Sequence, residues 1–297
     1  MATQGETTTT SELLDVAART LADAGVEEPR AEARSLMTEV LRVSKAWLLA
    51  HPEAVISAEA SHAFLDATAR RARREPFAYV AGHREFFGLD LEVTPDTLIP
   101  RPETELLVEL AAAAARGLLD RKRRGLRAVD IGTGSGAVAI ALAKLVPELH
   151  ITAVDASAEA LRIAARNART HRLAARIDFQ EGDLLSGVRG PLDLVVANLP
   201  YIPSGDIEGL MPEVSRFEPR SALDGGPEGT ALIRRAVTEA VGLVEPPAVL
   251  LFEIGEGQGS SIASLASEAF PGSEVRVHRD YAGLERIVEV KIGDPRG

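Results

Sequence analysis

The chain has no cysteine, which excludes disulfide bonds, thiolate zinc sites and a cysteine nucleophile together. Histidine is scarce as well. His51, His62, His83, His150, His171 and His278 stand apart without metal-ligand spacing, so no metal is expected. No stretch approaches the about 18 uninterrupted apolar residues of a membrane span. The opening Met1-Ala2-Thr3-Gln4-Gly5-Glu6, followed by threonines, lacks the charged and apolar regions of a secretion signal. A cytoplasmic protein with a frayed, threonine-rich start and no membrane partner is the expectation. Positive charge is in deficit too: 33 basic against 44 acidic residues leave a net charge of −11. That balance argues against broad, sequence-independent nucleic-acid binding as the main activity. Basic side chains do cluster at Arg70, Arg71, Arg73 and Arg74, and at Arg121, Lys122, Arg123, Arg124 and Arg127. Either a solvated helix end or a partner contact fits such runs. Internal repeats are absent.

What is present fills 297 residues, enough for one large domain or two ordinary ones. Residues 1–78 read as a helical bundle. Leu13, Leu14, Ala17, Ala18 and Leu21 form one stripe, Ala33, Leu36, Met37, Val40 and Leu41 a second, and Ala60, Phe64, Leu65, Ala67 and Thr68 a third. The bundle carries no chemical motif, so recognition of a macromolecular substrate or plain support are its possible roles. Residues 79–96 turn to alternating, aromatic-rich residues around Gly82, Gly88 and Asp90, which predicts a β-hairpin linker. From Thr97 onward, residues 97–297 alternate strand-like and helix-like segments, as an α/β domain does. A helix is expected from Glu105 to Ala115, with late strands at Val249–Ile254 and Arg286–Val290. The span from Pro203 to Gly229 is too long for a passive connection and predicts a wall of a substrate groove.

The chemistry concentrates at four predicted strand ends. Val129-Asp130-Ile131-Gly132-Thr133-Gly134-Ser135-Gly136 reads as strand and glycine-rich turn, running into a helix over Ala137–Ala143. Glycines there let the backbone approach a ligand at a helix N-terminus. Ile151-Thr152-Ala153-Val154-Asp155 ends in an acid placed to grip ribose hydroxyls. Ile177–Gly182 leads to Asp183 and Leu184, positioned to flank an adenine. Leu192–Ala197 closes on Asn198-Leu199-Pro200-Tyr201. The Asn198 side-chain carbonyl and the Leu199 backbone carbonyl can accept the two N–H groups of a planar NH2. Tyr201 can stack on the flat group, and Pro200 restricts Leu199 to extended backbone. An ordinary strand-ending turn uses the same residue types. Ala137 stands where the pyrophosphate fingerprint has its last glycine, which favours S-adenosyl-L-methionine over a dinucleotide.

These motifs, taken in order with Leu98-Ile99-Pro100-Arg101-Pro102-Glu103-Thr104-Glu105, Arg216-Phe217-Glu218-Pro219 and Arg279-Asp280-Tyr281-Ala282-Gly283-Leu284-Glu285-Arg286, resemble the peptide chain release factor N5-glutamine methyltransferases, the PrmC/HemK family. The resemblance covers nearly the whole chain after the first ten residues. It implies a class I S-adenosylmethionine-dependent methyltransferase (Rossmann-like) domain behind the bundle and hairpin. The bundle would then recognise class I peptide chain release factors, with no obligatory nucleic acid. Gly132, Thr133, Gly134, Ser135, Gly136, Asp155, Asp183, Leu184 and Asn198 would bind S-adenosyl-L-methionine, released as S-adenosyl-L-homocysteine without a metal. Arg101–Thr104 would cover the methionine end. Asn198, Leu199, Pro200 and Tyr201 would be the catalytic and substrate-binding set, taking the glutamine of the Gly-Gly-Gln motif. One departure stands out: the family has Asn-Pro-Pro-Tyr where this chain has Leu199. Since that position acts through its backbone carbonyl, activity is expected to persist. A nucleic-acid adenine N6-methyltransferase and a non-catalytic S-adenosylmethionine-binding scaffold are the alternatives.

Overall fold

The computed structural model describes residues 8–122 and 125–293; residues 1–7, with most of the threonine-rich start, and Arg123 and Arg124 lie outside them. Two compact units divide the chain. One comprises Met1–Gly82 with Met211–Phe217, the other His83–Leu210 with Glu218–Gly297. Among the described residues no helix is long and apolar enough to cross a membrane.

The first unit is helical because its apolar residues recur every three or four positions. Helices Thr10–Asp23, Pro29–Leu41, Lys45–Ala50, Ala58–Ala72 and Phe77–Ala81 bury Leu13, Ala17, Leu21, Leu36, Met37 and Phe64 in one core. Thr9 caps the first helix in a capping box with Glu12. Thr8 and Thr9 pair with Ile56 and Val55, so the described threonines are ordered rather than frayed. The short helix Pro212–Phe217 belongs to this unit: Glu213 accepts from Arg74 Nε and Nη2 at 2.6 and 2.8 Å, and pairs with Arg71 at 3.0 Å. Arg71 also donates to Glu32, and Arg70 to Glu75 and the Tyr79 carbonyl. Three arginines of the first basic run thus have internal partners.

The hairpin begins later than the alternating pattern suggests. Phe77–Ala81 is a short helix opened by Pro76 and ended by Gly82 at φ 83°, and the paired strands are His83–Phe86 and Leu89–Glu92. Phe87 and Gly88, both at positive φ, make the two-residue turn. Phe86, Leu89 and Leu91 are buried against Leu107 and Ala111, which makes the hairpin part of the second unit's core rather than a free connection.

The second unit is a sheet covered by helices on both faces. Its seven strands are numbered here within that sheet: β1 Leu126–Ile131, β2 Leu149–Asp155, β3 Ile177–Glu181, β4 Leu192–Ala197, β5 Val244–Glu253, β6 Glu274–Arg279 and β7 Glu285–Ile292. Their order across the sheet is β3-β2-β1-β4-β5-β7-β6, all parallel except β7, which runs antiparallel to both β5 and β6. Strands β1 and β4 read as near-continuous apolar runs because helices lie over both faces. Helices Thr104–Lys122 and Ala137–Leu145 cover the face that holds Ala128 and Leu194. Helices Ala231–Ala240 and Gly259–Ala269 cover the face that holds Val129 and Val195. The first of these helices runs on past the expected Ala115 to Lys122, whose ammonium pairs with the fully buried Asp193 of β4. The sheet order reverses direction between β1 and β4, and a crevice opens at such a switch point beyond the strands' carboxyl ends. Gly132 follows β1 there, and Asn198 follows β4.

Candidate active site

The glycine turn after β1 is held from below. Gly132 and Thr133 both donate to the Val154 carbonyl, at 2.8 and 3.0 Å, and Gly136 donates to the Thr133 carbonyl at 2.8 Å. Gly132, Gly134 and Gly136 all sit at positive φ, where a side chain would strain the backbone. They differ in what a side chain would meet. A Cβ on Gly134 would meet nothing within 4 Å, whereas one on Gly136 would strike Ile140 and Ala164 at 3.0 and 3.1 Å. Gly134 keeps a surface open, and Gly136 lets two helices close. Asp130 is buried under the turn, accepting from the Thr133 hydroxyl at 2.6 Å and the Ala139 N–H at 3.2 Å. Burial pushes its carboxyl up to about 6 despite those two donors. Asp155, at the end of β2, accepts from the Gly134 N–H at 2.8 Å and the Ser157 N–H at 2.9 Å. Burial raises its carboxyl too, opposed by backbone N–H groups. Each of its oxygens takes one such bond, so lone pairs remain for ligand hydroxyls.

At the end of β4, Asn198 donates from Nδ2 to Thr104 Oγ1 at 3.0 Å, which turns its Oδ1 acceptor away from that contact. Leu199 is buried, with Cδ2 only 3.1 Å from where a Cβ on Gly132 would stand. Its side chain is therefore core packing between the two motifs, and its backbone carbonyl is a separate resource. Tyr201 is half-buried against Gly255, and burial pushes its phenol up to about 12, with Glu253 adding to the shift. Glu253 ends β5 and is only 1% exposed. Burial pushes its carboxyl up to about 7, while the Thr104 hydroxyl, the Arg286 guanidinium and the Tyr201 hydroxyl favour its charged form. None of them satisfies Oε2, which has no hydrogen-bond partner of good geometry.

One cavity of about 300 Å³ joins these ends. It is lined by Gly132, Gly134, Asp155, Asp183, Leu184, Asn198, Leu199 and Pro200, with walls from Asp96–Leu98 and Pro219–Ala222. Thr133, Ser135, Gly136 and Tyr201 are not in its lining. Thr133 and Ser135 are buried under the turn, and Tyr201 stands beside the cavity. Leu184 has φ 54°, a strained backbone for a branched residue and the kind that collects at binding sites. The Asp183 carboxylate is paired with Arg235 at 2.8 Å on the surface. A larger hollow of about 630 Å³ lies at the opposite ends of the strands, beside Pro247–Val249 and Ile292, and contains none of the motif residues. Among the described residues no group of three His, Asp or Glu could hold a metal ion.

Several residues outside the cavity lining hold its parts in place. Glu218, buried, accepts from the Ile99 N–H at 3.1 Å and from Arg101 at 2.6 Å, which holds the Leu98–Arg101 wall. Gln258 ties Tyr201 in place by donating to its carbonyl at 2.9 Å. Asn167 bridges the Ser135 carbonyl at 2.9 Å to the Glu92 backbone of the hairpin. The connection over Pro203–Gly229 holds helical turns at Ile207–Gly209 and Arg220–Ala222, and its return half folds onto the motif. Ile202 donates to the Leu223 carbonyl at 3.0 Å and accepts from the Gly225 N–H at 2.9 Å, and a Cβ on Gly225 or Gly229 would collide with the carbonyls of Pro200 or Tyr201 at 2.6 and 2.2 Å.

Residues 12–82 match the PrmC N-terminal domain family, and residues 105–210 the methyltransferase small domain family. A release factor glutamine methyltransferase of Moorella thermoacetica is 41% identical over 281 residues, 94% of this chain and 96% of the relative. One of Geobacter sulfurreducens is 37% identical, covering 99% of this chain and all of the relative. The fold resembles the crystal structure of a methyltransferase from Pyrococcus furiosus, with a TM-score of 0.52 at 20% identity over 76% of this chain and 100% of that one. The expected Rossmann-like methyltransferase fold is borne out by this likeness and by the seven-stranded sheet.

Proposed function

The chain belongs to the release factor glutamine methyltransferases, and on that premise we propose that it methylates the side-chain amide nitrogen (N5) of the glutamine in the Gly-Gly-Gln motif of class I peptide chain release factors. The methyl donor in this reading is S-adenosyl-L-methionine, used in the cytoplasm to modulate translation termination. The observation that carries the reading is the single cavity in which a hydroxyl-accepting Asp155 and an open glycine turn face the Asn198–Pro200 acceptors.

The residues present fit the donor. Gly134 leaves space for close approach, Asp155 keeps acceptor capacity for a ribose, and Leu184 supplies an apolar side chain for a flat base. Gly132, Gly134, Asp155, Asp183 and Leu184 are the residues that would hold it. When bound, it supplies an electrophilic methyl group on a positively charged sulfur. Asn198 Oδ1 and the Leu199 carbonyl accept the two amide N–H groups, which fixes the nitrogen's direction and removes much of the orientational barrier. The same oxygens stabilise positive charge that develops on that nitrogen. Tyr201 holds its own proton far above neutral pH, so it takes no proton from the amide. The N–H proton displaced by the methyl leaves to water.

The test is transfer of labelled methyl from S-adenosyl-L-methionine to release factor, to its Gln-to-Ala variant, and to tRNA, rRNA and DNA in turn. Label on the wild-type release factor alone is expected. Label on nucleic acid with none on release factor would replace this reading with adenine methylation.

A further inference from the structure

Resting on the reading above, we propose that Gln258 is a positioning residue for methyl transfer: its amide fixes Tyr201, and with it the direction of the Asn198–Tyr201 backbone, from outside the cavity lining. β4 ends at Ala197, so its ladder no longer holds the residues that follow. Pro200 restricts only itself and Leu199. Tyr201 is the first residue beyond it that needs an external hold, and its carbonyl accepts from Gln258 Nε2 at 2.9 Å. The same nitrogen donates to the Glu228 carbonyl at 3.4 Å, and Gln258 Oε1 accepts from the Gly255 N–H at 2.9 Å. One amide thereby ties the turn after β4 to the turn after β5 and to the returning connection.

Two features set this tie apart from ordinary packing. Gln258 occupies the N-cap of helix Gly259–Ala269, yet its side chain makes no cap bond there. Caps are ordinarily Ser, Thr, Asp or Asn, whose short side chains reach the helix's own N–H groups. A glutamine at that place, with its amide turned to other segments, breaks a local rule, and such breaks collect where function constrains the chain. The second feature is steric. A Cβ on Gly255 would stand 3.2 Å from Gln258 Cδ and 3.3 Å from Tyr201 Cδ2, and one on Gly229 would stand 2.7 Å from Gln258 Nε2. Glycine at both positions lets the amide and the ring close up. The polarity of the amide is fixed as well: reversed, it would set its NH2 against the Gly255 N–H and its oxygen against two carbonyls.

The experiment uses the full chain with release factor as substrate. Gln258→Leu, which removes every bond of the tie, is expected to lower kcat about tenfold or more, equivalent to ~1.4 kcal/mol of barrier. Cofactor affinity by calorimetry should be retained, because the glycine turn and Asp155 lie outside the tie. Gln258→Glu still accepts from Gly255 but sets a carboxylate oxygen against the Tyr201 and Glu228 carbonyls, so it should be at least as slow. Its melting temperature should hold, since negative charge is favourable at a helix N-terminus. Plain structural support predicts instead that turnover, cofactor affinity and melting temperature fall together. An independent readout is hydrogen exchange at the Gly255 and Ile202 amides, which should speed up in Gln258→Leu. Wild-type kcat in either folded variant, cofactor affinity lost in step with kcat, or unchanged exchange would overturn the proposal. If the wild-type protein puts no methyl on glutamine at all, the activity reading fails, and the exchange rates still decide whether Gln258 holds the segment.

Discussion

The two ends of the cavity are built on opposite plans. At the glycine turn, the backbone does the work, and the polar groups are bonded before any ligand arrives. Asp155 already takes two N–H groups, Asp130 two donors, and Val154 two amides. At Asn198, side chains predominate, and acceptors are left open: Asn198 turns only its NH2 inward, and Glu253 keeps an oxygen without a partner. A cradle made of backbone is rigid and tolerant of neighbouring side chains, since its donors are the chain itself. An acceptor pair made of side chains gains directionality and depends on every group that sets its polarity.

The sharpest break in this comparison is expected at Asn198. Replacing it by alanine removes an acceptor that acts at the reacting nitrogen. It should lower kcat on release factor by roughly 10²–10³, the scale for removing one preorganised polar group, while cofactor binding by calorimetry changes little. Asn198→Asp, which still accepts, should recover part of that loss. Asp155→Ala should act in the opposite column: cofactor affinity weaker by about 1.5–3 kcal/mol, the range for hydrogen bonds to a charged group. The signature is a raised KM for the cofactor with kcat less affected at saturation. If the two variants gave the same kinetic pattern, the division into a holding end and an orienting end would be wrong.

Leu199 lies between the two. Its side chain packs on Gly132, and its carbonyl is assigned to the substrate. Leu199→Pro restores the commoner tetrapeptide but removes buried apolar contacts, so unfolding free energy should fall by about 1–3 kcal/mol with kcat within about tenfold of wild type. Chemical denaturation measures the first and steady-state kinetics the second. A loss of turnover without a loss of stability would give the leucine a role in the chemistry.

The smallest expected effect concerns the helical unit, proposed as the docking element for release factor. Leu49 and Val55 are exposed there, at 65% and 63%. Changing both to serine should raise KM for whole release factor several-fold, with no change for a short Gly-Gly-Gln peptide, because remote binding adds to substrate affinity without touching the chemistry. Equal effects on both substrates would remove that surface from docking.

How much of this was visible in the sequence follows the same division. The glycine turn, Asp155 and Asn198 each sit where a strand runs out, and strand ends of a parallel sheet converge without further instruction. Local spacing was enough to find them. Thr104, Glu218, Glu253 and Gln258 reach the site through long-range topology, and their residue types are ordinary: a helix-start threonine, two glutamates and a glutamine. Thr104 read as an element of a helix start and, through the family resemblance, as cover for the methionine end, without its contact to Asn198, and Glu253 as the tail of an apolar strand. Gly225 and Gly229 read as loop composition, although their missing side chains let the carbonyls of Pro200 and Tyr201 pass. The hairpin was displaced by a few residues because Phe77–Ala81 is apolar enough to pack as a helix or a strand, and Pro76 and Gly82 settle it as a helix.

The central claim is that a glutamine amide is held by the Asn198 end and methylated on nitrogen. Its most direct measurement is mass spectrometry of release factor peptides after incubation with S-adenosyl-L-methionine and either wild-type protein or Asn198→Ala. The account predicts one added methyl on the Gly-Gly-Gln glutamine with the wild type and nearly none with the variant at equal cofactor occupancy. Methylation at another residue, or equal methylation by both proteins, would contradict it.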